Sequence, residues 1–234
     1  MLRPSLLAEI LESSRSIHRS GSMSPSALIR LAKHLEDREV HHSVETGTGA
    51  STLVFSHSSR CHTVFAVDAD ESISSVRRSP LLNAAAITFV NGPTQKALPV
   101  HSFPSPLQAV LLDGPHAYPF PDLEYFYVYP HIQEGGLFVI DDIHIPSIQN
   151  LFRVVSCDEM FRVLEVCGKT AFLQRTDAPV FDPWGDGWWL QAFNKRPSWR
   201  YAWQDKLKSA IPGPLRALVR TQADRCRLLI QGRR

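Results

Sequence analysis

Three aspartates stand at the ends of short apolar runs. Val110-Leu111-Leu112 leads into Asp113, and Leu137-Phe138-Val139-Ile140 leads into Asp141 and Asp142. Nearly continuous apolar runs of this length read as strands covered on both faces. If the two strands are neighbours, all three carboxylates point into one pocket beyond the sheet. Carboxylates held together repel one another unless they are protonated or share a cation. Oxygen donors of this kind suit Mg2+ or Ca2+, and such a cation can hold a substrate hydroxyl and lower its pKa. His116 and His144 lie beside the two strand ends. Imidazole takes up a proton near neutral pH, so each is a candidate base or ligand. In a plainer reading one aspartate caps a helix, one touches a ligand and one is solvated.

A second constellation precedes these. Glu45-Thr46-Gly47-Thr48-Gly49-Ala50-Ser51 follows one apolar run, and Asp68 ends the next. Glycine permits a tight turn and close backbone approach to a ligand. A carboxylate at the end of the following strand can accept hydrogen bonds from both hydroxyls of a ribose. An isolated Gly-x-Gly is common and says little. Here the ligand class is narrowed by what is missing. Thr52 stands where a dinucleotide fingerprint wants a third glycine, and no Gly-Lys-Ser/Thr follows, as a phosphate loop requires. Glu45 would also repel a pyrophosphate. A ligand with a ribose and a positive charge but no phosphate suits the turn better.

The elements that must position these residues follow from periodicity. Strands are expected near 42–45, 63–68, 87–91, 107–113 and 137–141, with helices near 51–59, 72–79, 123–132 and 147–155 between them. Such alternation implies a doubly wound α/β fold with a mostly parallel, Rossmann-like sheet. Residues 161–166 and 170–174 flank Gly168-Lys169 and suggest a closing antiparallel hairpin. Two helices come first, over about 4–17 and from Ser24, a plausible N-cap with Pro25 at the first helical position. The expected organisation is an N-terminal helical cap (1–38), a ligand-binding core (39–176) and a Trp-rich loop with a basic helical C-terminal extension (177–234). All five tryptophans lie in 184–203, and their expected role is packing. Residues 1–194 carry 14 Lys/Arg against 21 Asp/Glu, whereas 195–234 carry 11 against 2. His41-His42 reads as structural, because adjacent strand residues face opposite sides. Four scattered cysteines without C-x-x-C spacing, no run long enough to span a membrane and no apolar leader point to a cytoplasmic protein.

Glu45-x-Gly47-x-Gly49-x-Ser51, Asp68, Asp113-Gly114-x-His116, Gly135-Gly136 and Asp141-Asp142 together resemble a class I S-adenosylmethionine-dependent methyltransferase. The resemblance covers roughly residues 21–174. It is strongest to the small-molecule O-methyltransferase branch that includes catechol and antibiotic-sugar enzymes. It implies a seven-stranded sheet whose last strand is antiparallel. It also implies that S-adenosylmethionine is held by Glu45, Thr46, Gly47, Gly49 and Ser51 at the methionine end, by Asp68 at the ribose, and by the segment around Gly92 at the adenine. Here Asn91-Gly92-Pro93-Thr94 departs from the commoner Gly-Asp-Ala. Asp113 would serve the cofactor pocket as well. Metal-dependent members use a similar Asp plus Asp-Asp set, which implies Asp113, Asp141 and Asp142 as ligands to Mg2+ or another divalent cation. The Asp-Gly-x-His setting favours His116 over His144 as the base.

The leading expectation is therefore methylation of a hydroxyl on a small molecule, a sugar or a phenolic product. Methylation of nucleic acid or protein through the basic tail is an alternative. Against nucleic acid, the fourth strand ends in Asp-Gly-Pro-His rather than the Asn/Asp-Pro-Pro-Tyr associated with methylation of base amino groups. A cofactor-binding scaffold and a nicotinamide dehydrogenase complete the set. A homo-oligomer contact through the N-terminal helices or the tail is a further expectation. Contact of the tail with nucleic acid or a membrane surface is less favoured.

Overall fold

A computed structural model describes residues 2–17, 22–68, 71–104 and 106–195. Helix α1 (Pro4–Ile17) and helix α2 (Pro25–Glu36) lead into seven strands: β1 (Val40–Thr46), β2 (Ser59–Ala66), β3 (Ile87–Asn91), β4 (Leu107–Leu112), β5 (Ile132–Ile140), β6 (Phe161–Cys167) and β7 (Thr170–Arg175). Helices α3 (Ala50–Ser58), α4 (Ser72–Arg78), α5 (Thr94–Ala97), α6 (Phe120–Val128) and α7 (Pro146–Val155) connect them. The sheet order is β3-β2-β1-β4-β5-β7-β6. All pairings are parallel except those of β7, which runs antiparallel to both β5 and β6. The last strand is thus antiparallel, as expected, and lies inside the sheet rather than at its edge.

The core sits on both sheet faces because side chains alternate along each strand. Ala109, Leu111, Leu137 and Val139 face the cluster formed with α1, α2 and α3. Val110, Leu112, Phe138 and Ile140 face the opposite cluster, with Val128, Ile148, Leu151 and Val155 of α6 and α7. Each of these strand side chains is at most 4% exposed. Complete burial of one such side chain is worth roughly 1.5–3 kcal/mol, so both apolar faces must be covered and the strand ends are left to carry the polar groups. On α2, the Ser24 hydroxyl accepts the Ala27 N–H at 3.2 Å and Pro25 follows, as the sequence suggests. Leu28, Leu31 and Leu35 of this helix are buried.

Boundaries differ from expectation where proline and glycine intervene. The helix expected near 123–132 ends at Val128. Pro130 cannot continue an α-helix, so the chain tightens into a turn over Tyr129–His131 before β5. Strand β5 starts at Ile132 rather than near 137, because a register shift against β4 accommodates Gly135-Gly136.

Among the described residues, those up to Gly187 form one compact unit and those from Trp188 onward belong to a second. In the first, Trp184 is 85% exposed and meets the Phe126 ring edge-on. In the second, Trp188 and Trp189 meet edge to face and are each 56% exposed, so these three tryptophans are less packed than expected. Trp199, Trp203 and the expected tail helices lie outside the described residues. Among the described residues, no helix is long and apolar enough to cross a membrane.

Candidate active site

Strand order reverses between β1 and β4, whose carboxyl ends open on a cavity of about 480 Å3. Its wall is built from the Gly47–Ser51 turn, the ends of β2 and β3, Ser22 and Met23 ahead of α2, and the Asp113–His116 loop. This is the crevice in which doubly wound sheets bind ligands. The turn fits tightly. Gly47 has φ +85°, and a Cβ placed there would lie 2.2 Å from the Asp113 carbonyl oxygen. Only glycine lets β1 turn this close to the end of β4.

Of the residues expected to hold a cofactor, Gly47, Gly49, Ser51 and Asp113 line the cavity. Glu45 and Thr46 lie beneath it. The Glu45 carboxylate is fully buried and accepts the Ser51 hydroxyl at 2.9 Å, together with the Thr52 hydroxyl. His62 Nε2 stands 3.4 Å from Glu45 Oε1, while His62 Nδ1 bonds Ser43 Oγ at 2.7 Å and its ring stacks on Phe55. Glu45 therefore shapes the turn from below. Thr46 is a strap: its hydroxyl donates to Glu124 at 2.8 Å and accepts the Asp113 N–H at 3.1 Å. Asp68 is exposed and turned to α4, accepting the Ser74 N–H at 3.1 Å and its hydroxyl at 2.6 Å, bonds that lower its pKa. Gly92 lies outside the wall, but Pro93, Thr94 and Gln95 line it.

The carboxylates do gather at the ends of β4 and β5. Asp113, His116 and Asp142 each offer a ligand atom within 4.8 Å of the others. His116 Nε2 is 3.2 Å from Asp142 Oδ2 and 3.7 Å from Asp113 Oδ1, without hydrogen-bond alignment to either. Asp141 is not within that reach. Its Oδ1 accepts the Thr170 hydroxyl at 2.6 Å, and its buried Oδ2 has no hydrogen-bond partner. His144 is largely exposed, 3.7 Å from Asp142 Oδ1 and away from the cavity wall. Ser147 at the start of α7 donates to the His116 carbonyl, fixing the loop that carries the imidazole.

The electrostatics follow from burial and proximity. Burial pushes the Asp113 carboxyl up to about 7, with His116 opposing and Asp141 and Asp142 adding. Asp141 is raised chiefly by burial, and His116 is raised chiefly by Asp113. Glu124 on α6 is raised to about 7 by burial. Its carboxyl lies under the Asp113–His116 loop, where a Cβ on Gly114 would meet Glu124 Oε1 at 2.1 Å. Sequence reasoning missed Glu124, His62, Lys169 and Thr170. Glu124 sits in an aromatic stretch that reads as helix packing, His62 in a strand, and Lys169 and Thr170 in a hairpin. Their only sequence signal is a polar residue where an apolar one would serve.

Residues 44–143 match the family model described as a methyltransferase domain. No curated protein sequence matches the chain. Several solved structures share its fold at low identity. TomG, an O-methyltransferase of Streptomyces achromogenes involved in tomaymycin synthesis and solved with S-adenosylmethionine, is 14% identical over 74% of this chain and 91% of that one, with TM-score 0.57. An O-methyltransferase from Bacillus cereus, solved with S-adenosylhomocysteine, is 14% identical over 74% and 92%, with TM-score 0.58. MycE of the mycinamycin pathway, solved with Mg and S-adenosylhomocysteine, is 17% identical over 75% of this chain and 55% of that one, with TM-score 0.51. The matched segment runs from β1 to just past β5 and supplies most of the cavity wall, so the part of the chain that is similar to a methyltransferase domain is the part that builds the site, within a doubly wound, Rossmann-like fold.

Proposed function

We propose that this protein is a methyltransferase, which takes its methyl group from S-adenosylmethionine and delivers it to a hydroxyl of a small molecule, a sugar or a phenolic product. The observation that carries this reading is the continuity of the cavity, which runs from the Gly47–Ser51 turn to Asp113 and His116. A cofactor whose amino-acid end rests on the turn would direct its sulfonium methyl toward a base and an acidic cluster. The sulfonium is already electrophilic, so the protein has to align the acceptor oxygen and remove its proton. His116 Nε2 takes that proton in this reading, and the neighbouring Asp113 stabilises the imidazolium that forms. The Pro93–Gln95 segment lines the part of the wall where the nucleoside would lie, and Asp68 directly follows Val67 of that wall.

The donor set fits a hard divalent cation. It is rich in carboxylate oxygens, Asp113 and Asp142 already approach each other, and Asp141 Oδ2 is buried without a hydrogen bond. Asp113, Asp141 and Asp142 would hold such a cation, which would bind the acceptor hydroxyl and make it more acidic. The experiment is calorimetry with S-adenosylmethionine, then detection of S-adenosylhomocysteine and methylated product across a panel of hydroxylated sugars and phenols. Failure to bind the cofactor would sink the whole reading. Full activity after exhaustive chelation would sink only the cation.

A further inference from the structure

The hairpin between β6 and β7 reaches into the acidic cluster, and the reason is topological. Because β7 is antiparallel to β5, its first residues lie beside the last residues of β5, with Ala171 opposite Ile140. A parallel strand would have placed its start at the far end of the sheet. The turn at Gly168-Lys169-Thr170 is therefore delivered to Asp141 and Asp142. The Ile143 N–H donates to the Lys169 carbonyl at 2.9 Å, which docks the turn against the chain leaving β5. Thr170, fully buried, donates its hydroxyl to Asp141 Oδ1 at 2.6 Å. The Lys169 ammonium lies 2.6 Å from Asp142 Oδ1 and 3.9 Å from Asp141 Oδ2, with its side chain 28% exposed. Asp141 Oδ2 and Asp142 Oδ1 are both buried and make no aligned hydrogen bond.

We propose that Lys169 is the resident cation of this cluster, a tethered ammonium that competes with a divalent ion for Asp141 and Asp142 and so sets the affinity of the site. This rests on the reading of the three aspartates as a cation site. An ammonium and a divalent ion cannot both take the same carboxylate oxygens, and two positive charges a few ångströms apart repel. Three carboxylates gathered at the strand ends need positive charge nearby for the fold to tolerate them. Lys169 supplies it before any metal arrives. Its partly exposed stem also gives it somewhere to go, since a lysine can move its ammonium into water while the hydrocarbon stays in place. The divalent ion is then held exchangeably, and Asp142 becomes the carboxylate over which the two cations compete.

The test is titration of the full chain with Mn2+, following free Mn2+ by electron paramagnetic resonance, for the unaltered protein, Lys169→Met, Lys169→Gln, Lys169→Arg and Asp142→Asn. Lys169→Gln keeps a donor for Asp142 but removes the charge, and it serves if Lys169→Met fails to fold. Removing one unit charge from beside a site should tighten Mn2+ binding about tenfold or more in both neutral variants, and Lys169→Arg should behave like the unaltered chain. Mn2+ binding that appears only in the neutral variants supports the proposal equally. Equal or weaker binding in them, with the unaltered chain binding Mn2+ through Asp142, overturns the role of Lys169 and leaves the cation site standing. Absence of binding in every protein overturns both.

Discussion

The carboxyl of Glu124 fills the space that a side chain at position 114 would need. A Cβ on Gly114 would lie 2.1 Å from Glu124 Oε1, and the other carboxyl oxygen is held by the Thr46 hydroxyl at 2.8 Å. Helix α6 thus sets the residue type of the loop above it, and that loop carries Asp113 and His116. Gly114→Ala should destabilise the protein by about 1–3 kcal/mol through overpacking. In a Glu124→Ala background the same substitution should cost much less, because the obstructing carboxyl is gone. Urea unfolding of the four proteins measures the coupling, and additivity would show that the two residues do not compete for space.

The buried Glu124 also predicts a pH dependence. Its folded-state pKa is raised from an ordinary 4.5 to about 7. Between those values the folded state holds a proton that the unfolded state has released. Stability therefore falls as pH rises from about 4.5 to 7 and levels off above. Glu124→Gln removes this contribution, so its stability should decline less than that of the unaltered protein between pH 5 and 8, by on the order of 2–3 kcal/mol. Identical pH profiles for the two proteins would refute it. Other titrating groups cancel in the comparison.

At Gly47 the conflict is with backbone, which cannot swing aside. A Cβ would lie 2.2 Å from the Asp113 carbonyl oxygen at a φ of +85°. Gly47→Ala should lose more stability than Gly114→Ala and should abolish calorimetric binding of S-adenosylmethionine. Retention of cofactor affinity would mean that the turn is not the binding element.

Glu45 receives the Ser51 and Thr52 hydroxyls, and His62 lies beside it, all below the cavity floor. Glu45→Gln leaves a buried amide among hydroxyl donors and should loosen the turn. The expected result is a KM for S-adenosylmethionine raised about tenfold, corresponding to roughly 1.4 kcal/mol, with kcat changed far less. His62→Gln should show the same pattern more weakly. A loss confined to kcat would place Glu45 in the chemical step instead.

Removing the Asp68 carboxylate tests its observed place at the start of α4. Asp68→Ala should lower the urea midpoint of the protein, because it removes the acceptor of the Ser74 N–H and hydroxyl at the start of α4. If stability is unchanged while cofactor binding weakens, the carboxylate serves the ligand alone.

The sequence by itself determined the elements and most of the cavity wall. Apolar runs such as Val110–Leu112 and Leu137–Ile140 could only be strands covered on both faces, and the alternation of helices with strands could only wind them in parallel. Gly47, Gly49, Asp113 and His116 were legible because turn chemistry and strand ends are local, written in consecutive residues. Only the tertiary structure decided which polar groups meet. Glu45 turned inward to Ser51, Thr52 and His62, and Asp68 turned to Ser74. Asp141 met Thr170, and the Lys169 ammonium came between Asp141 and Asp142, nearer to Asp142. Residues 141 and 170 lie far apart in the chain, and so do 114 and 124 in role. Their encounter depends on the antiparallel entry of β7 and on the seating of α6 under the β4 loop. Periodicity reports which face of its own element a residue occupies, and carries no information about which distant side chain will be waiting there.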